Sequence, residues 1–140
     1  MKKQDSISPT ATAYITASCS SIRTQVSVAS GKGDGRREDA IAIWDTGSEA
    51  SGISKQTAER LGMKPLGWKK IIRYANGTVR EENVYLATIF FPSTDVKATL
   101  YAFEFDDTTQ DVLIGMDIIR NGRFLLEPDG AGGTRFTFTA

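Results

Sequence analysis

Ala40-Ile41-Ala42-Ile43-Trp44-Asp45-Thr46-Gly47-Ser48 is the stretch that decides how this chain is read. In an extended strand, side chains alternate between faces, so Ile41, Ile43 and Asp45 share one face and Trp44 takes the other. The apolar run ends on a carboxylate, and Thr46-Gly47-Ser48 then reads as a turn. Gly47 lets another backbone approach closely, and its N–H can donate to the carboxylate. Ser48 can accept or donate at the outer carboxylate oxygen. An Asp in such a turn also has an ordinary use, capping the loop by accepting from its own backbone. The three letters Asp-Thr-Gly alone do not separate catalysis from that use.

Strand signals precede this segment. Tyr14 and Ile15, then Ile22, Thr24, Val26 and Val28 at period two, predict strands, and Gly31, Gly33 and Gly35 mark a turn. A short helix is predicted after it, with Ser54 as N-cap, Ile53 and Ala58 as a staple and Gly62 as the stop. The capping-box position holds Thr57, so the box itself is missing. Residues 69–74 and 78–86 flank Asn76-Gly77, a strong hairpin signal. Two further strands are predicted over 87–91 and 98–105, then a polar loop over 106–111. Val112-Leu113-Ile114-Gly115 reads as a buried strand ending in glycine. Asp117 is expected to N-cap a short helix over 118–121, with Gly122 as its stop and Arg120 donating to turn carboxylates or carbonyls. Residues 124–126 and 135–139 predict a closing hairpin. The chain is mostly β with two short helices, as one domain over 13–140 behind a flexible N-terminal tail over 1–12.

Composition removes several chemistries. In 140 residues, 17 basic side chains balance 17 acidic ones, so no charge footprint points to nucleic acid or an anionic membrane. The cluster Lys32 to Asp39 mixes both signs among glycines and reads as a solvated loop. Glu81, Glu82, Asp106 and Asp107 read as solvated surface too. Cys19 is the only cysteine, which rules out an intrachain disulfide and fits a reducing compartment. Histidine is absent, which excludes Ser-His-Asp and Cys-His catalysis and the commonest zinc ligand. Hydrolysis would have to run on carboxylates, hydroxyls, lysines or a carboxylate-bound metal. No spacing argues for a metal site, and neither metal nor cofactor is expected. No apolar run has signal-peptide or membrane-spanning length, so a cytoplasmic protein is expected.

Trp44-Asp45-Thr46-Gly47-Ser48 resembles the active-site turn of aspartic proteases. Leu113-Ile114-Gly115 resembles the strand that packs under that turn in the family. The hairpin between them, with Tyr74, Ala75, Asn76, Gly77 and Thr78 at its tip, resembles the flap. Order and spacing of turn, helix, flap and Ile-Gly are similar throughout, and most similar to bacterial retropepsin-like domains. There the helix from Ile53 to Pro65, Met116-Asp117-Ile118-Ile119 and the tail from Gly122 to Phe138 also fit.

The resemblance implies a closed retropepsin-like β-barrel with one or two short helices, acting as a homodimer. Asp45 would be catalytic. Thr46, Gly47 and Ser48 would support the turn, with the Thr46 hydroxyl locking it to its symmetry mate. Such chemistry needs two carboxylates sharing one proton: one activates a water and the other protonates the scissile carbonyl oxygen. No other Asp here is followed by Thr-Gly or Ser-Gly. A two-fold homodimer supplies the second Asp45, and the substrate is then an extended polypeptide bound by strand addition. An alternative is a catalytically silent dimeric protein-interaction module with the same fold; another is an unrelated β-barrel binding domain. The flap tip departs from the glycine-rich tip of the viral enzymes. Trp44 is bulkier than their Leu or Val and is expected to fill core or dimer interface. The interface would use the chain ends or the closing hairpin from Phe124 to Thr139, and the clean alternation of residues 135–139 favours the hairpin.

Overall fold

The computed structural model describes residues 9–16 and 21–140, so Cys19 and the first eight residues of the expected tail lie outside the described residues. The elements run β1 (Ala11–Ile15), β2 (Ile22–Ser30), β3 (Arg37–Trp44), β4 (Gly52–Ser54), α1 (Lys55–Arg60), β5 (Lys69–Arg73), β6 (Val79–Phe90), β7 (Lys97–Phe105), β8 (Val112–Ile114), α2 (Met116–Ile119), β9 (Arg123–Pro128) and β10 (Thr134–Thr139). A mostly β chain with two short helices is what the periodicity predicted. β1 begins at Ala11, which is buried, and Thr10 N already donates to Phe138 O at 2.7 Å.

Seven strands form one sheet in the order β2-β3-β8-β4-β7-β6-β5, and β2 also pairs with β6 over Ser27–Ser30 and Ala87–Phe90. A second sheet has three strands, β1-β10-β9. The two meet at Trp44. Its ring centroid lies 5.0 Å from Phe136 and 5.0 Å from Phe138 of the small sheet, and 6.0 Å from Phe91. The indole N–H donates to Thr24 Oγ1 at 2.9 Å, so a buried polar atom is satisfied while the ring fills the joint. The bulky residue before Asp45 is thus core. Ala40 and Ala42 share its face and are buried, and Ile41 on the opposite face is exposed.

Local chemistry sets the ends of α1. Ser54 Oγ accepts from Thr57 N at 3.1 Å, as an N-cap should. At the other end Met63 N donates to Ala58 O at 2.9 Å and Gly62 N to Glu59 O at 3.0 Å, the paired bonds of a Schellman ending. The hairpin signal also holds. Gly77 N donates to Tyr74 O at 2.9 Å and Tyr74 N to Thr78 O at 2.8 Å, with Gly77 at φ +86°, a conformation that glycine adopts without steric cost.

Two expectations need correcting. The strands predicted over 78–86 and 87–91 are one element, β6, of 12 residues. No Gly or Pro interrupts it, and it changes partner, pairing with β5 up to Asn83 and with β7 from Val84. The second correction concerns α2, whose N-cap is Gly115 with no side-chain cap; Asp117 lies inside the first turn. Its carboxylate is engaged elsewhere. Arg120 is exposed, and its side chain makes no hydrogen bond among the described residues.

Candidate active site

β3 delivers Asp45 just past its last strand residue, and the turn that follows is fixed by the β8–α2 segment. Asp45 N donates to Ile114 O at 2.9 Å, Met116 N to Ser48 O at 2.7 Å and Asp117 N to Glu49 O at 3.2 Å. Ser51, fully buried, ties the two segments together. Its Oγ donates to Asp117 Oδ1 at 2.6 Å and accepts from Gly115 N at 2.9 Å, and its N–H donates to Asp117 Oδ2 at 2.9 Å. A Cβ on Gly115 would fall 2.6 Å from Ala50 O and 2.8 Å from Ser48 O, so only glycine lets this strand end cross under the turn.

Within the turn, Gly47 N donates to Asp45 Oδ1 at 2.8 Å. The Ser48 hydroxyl does not reach the carboxylate. It donates to Ala50 O at 2.7 Å, because the turn curls back and offers that carbonyl at hydrogen-bond distance. Asp45 and Thr46 are exposed, and the Thr46 hydroxyl has no partner among the described residues.

A cavity of about 990 Å³ brings Asp45, Gly47 and Ser48 together with Tyr74, Ala75, Asn76 and Thr78 of the hairpin tip. Leu113 lines it as well, whereas Ile114 is fully buried beneath the turn. Residues not singled out in the sequence border the same space, among them Lys55, Arg80, Phe103, Glu104 and Gln110. The alternation of β7 was legible, but alternation does not say which face borders a cleft. Glu82 corrects the expectation of solvated surface: it is 8% exposed, on the cavity side of β6, with Arg80 Nε 3.2 Å from its Oε1. Asp106 and Asp107 also line the cavity.

Charge placement shows in the titrating groups. Burial, reinforced by the Glu82 charge, raises the Tyr74 phenol above its usual range. Burial and its hydrogen bond to Glu104 hold Tyr85 well above it. Asp107 is held below the usual carboxylate range by the N–H and hydroxyl of Thr109. Among the described residues, no group of three or more His, Cys, Asp or Glu side chains could hold a metal ion.

The sequence pattern of aspartyl proteases matches residues 25–118, from within β2 to within α2, and so includes the Asp45 turn, the hairpin and β8. The chain belongs to the aspartyl protease family. Among solved structures, the chain is similar to a retropepsin-like aspartic protease from Rickettsia conorii, with a TM-score of 0.51 at 12% identity, covering 99% of this chain and 100% of that one. It also matches the retroviral protease-like domain of Ddi1 from Leishmania major, with a TM-score of 0.39 at 16% identity over 72% of this chain and 73% of that one. No curated protein matches it. The full-length likeness to the rickettsial structure shows that the chain has a retropepsin-like fold.

Proposed function

We propose that this chain is an aspartic endopeptidase in which Asp45 and the Asp45 of a second copy activate a water between them. The observation that carries the reading is one carboxylate, Asp45, held by Gly47 N–H at 2.8 Å and bordering a large cavity beneath a hairpin tip. One carboxylate cannot act as base and acid at once, so a two-fold dimer completes the pair. Two carboxylates brought side by side share a proton and titrate together.

Thr46, Gly47 and Ser48 support the turn, the Thr46 hydroxyl reaching across the axis to its mate. Tyr74 to Thr78 form the flap over an extended polypeptide, and Leu113-Ile114-Gly115 underlies the turn. The pairing of β2 with both β3 and β6 supports a closed barrel. No helix among the described residues is long and apolar enough to cross a membrane. A cytoplasmic location is part of the reading, on the strength of a single cysteine.

The test is cleavage of a mixed peptide library from acidic to neutral pH, with wild type beside Asp45→Asn and the oligomeric state recorded. Cleavage by a wild-type dimer that falls by a factor of about 10³ or more in Asp45→Asn is the expected result. A well-folded dimer that cleaves nothing points to the interaction module, and a stable monomer refutes the shared pair.

A further inference from the structure

Trp68 is 45% exposed and Tyr101 51%, and their rings meet edge to face with centroids 5.4 Å apart. Two half-open rings in contact make one apolar surface, unlike apolar residues exposed singly. The fold builds this contact. Leu66 N donates to Val84 O at 2.9 Å, which holds the chain before β5 beside β6. Lys70 Nζ donates to Tyr101 O at 2.7 Å and so ties β5 to β7 across that strand. The indole N–H of Trp68 and the phenol hydroxyl of Tyr101 make no hydrogen bond among the described residues.

Strand register places the pair on the face that borders the cavity. Residues opposite each other in an antiparallel ladder share a face, and so do residues two apart on one strand. Ile72 pairs with Arg80, Val84 with Phe103 and Leu86 with Tyr101. Ile72, Arg80, Glu82 and Phe103 border the cavity that holds Asp45. Tyr101 lies two positions along β7 from Phe103, on the same face. Ile71, 71% exposed, alternates to the opposite face and takes no part in this surface. The pair therefore continues the cavity wall outward, away from the hairpin tip. Trp68 stands six positions before Tyr74 of that tip, about 20 Å along a strand that rises about 3.3 Å per residue.

We propose that Trp68 and Tyr101 form a distal subsite that receives an aromatic or long aliphatic side chain of the substrate polypeptide, about five residues from the scissile bond. This rests on the endopeptidase reading above and adds a side-chain preference to it. The occupant is the substrate because the apolar face is continuous with the cavity. An extended chain bound over Asp45 and running beneath β5 reaches the two rings along the same wall. Apolar burial is non-directional, so leucine and phenylalanine are both accepted there, whereas serine gains nothing.

The test takes one peptide that the wild-type full chain cleaves. It is resynthesised with phenylalanine, leucine or serine at each position between about three and about seven residues from the scissile bond, on either side. At one such position the phenylalanine and leucine peptides should exceed the serine peptide about tenfold in kcat/KM for wild type. That ratio should fall to about twofold in Trp68→Ala and in Tyr101→Thr, the second keeping a residue suited to a strand. Cleavage of the serine peptide by each variant shows that it is folded. A wild type without such a preference, or a preference that both variants keep, overturns the subsite and leaves the endopeptidase reading standing. Variants that keep the preference but dimerise more weakly assign the pair to a contact between copies, which overturns the subsite too. If no peptide is cleaved in a way that depends on Asp45, the endopeptidase and its distal subsite fall together.

Discussion

Gly115→Ala is the substitution whose cost follows most directly from the geometry. The added Cβ would lie 2.6 Å from Ala50 O, 2.8 Å from Ala50 C and 2.8 Å from Ser48 O, all backbone atoms that no side-chain rotation can move away. Overpacking of this kind costs about 1–3 kcal/mol. Relief requires β8 and the Asp45 turn to separate, which stretches the bonds from Gly115 N to Ser51 Oγ at 2.9 Å and from Met116 N to Ser48 O at 2.7 Å. Each such bond is worth about 1 kcal/mol, so with the low end of the overpacking cost the sum is about 3 kcal/mol. For a chain of this size that lowers the melting midpoint by about 10 °C.

Thermal denaturation followed by circular dichroism measures the shift. Gly35→Ala serves as control, because nothing lies within 4 Å of its added Cβ and its φ is not positive. It should leave the midpoint unchanged or slightly raised. If Gly115→Ala melts within about 2 °C of wild type, the crossing is not as tight as described and the reasoning fails.

Ser51→Ala removes the hydroxyl that donates to Asp117 Oδ1 and accepts from Gly115 N, and leaves the Ser51 N–H bond to Asp117 Oδ2 in place. It should cost about 2 kcal/mol in urea denaturation, with peptide cleavage falling as the turn loosens. Asp107 carries a pH prediction. Its folded-state pKa is depressed by Thr109, so its stabilising contribution is present above the unfolded carboxylate pKa and is lost as pH falls through the folded one. Asp107→Asn should therefore be less stable than wild type at neutral pH and approach it in acid. A gap that widens toward acid would reverse the assigned sign.

Much of the fold was legible because its signals act over a few residues. Ser54 and Gly62 bracket α1 through bonds to backbone groups within one turn, and Asn76-Gly77 closes its hairpin in the same local way. The period of two around Trp44 placed Asp45 opposite a core face. What was misread depended on partners distant in sequence. Asp117 looked like an N-cap because the helix start beside it was visible, whereas Ser51, 66 positions away, was not. Glu82 looked like surface because a charged strand residue usually is, until pairing with β5 and Arg80 turned it into the cavity wall.

The sequence by itself determined the type and ends of most elements and the Asp-Thr-Gly turn that carries the family resemblance. Each of these depends on residue chemistry at close spacing. Only the tertiary structure decided that β6 is continuous, that Gly115 must lack a side chain because two carbonyls press on it, and that β9 is left with an open edge. These are facts of which segments meet. Close packing and antiparallel register bring together atoms that no local pattern relates.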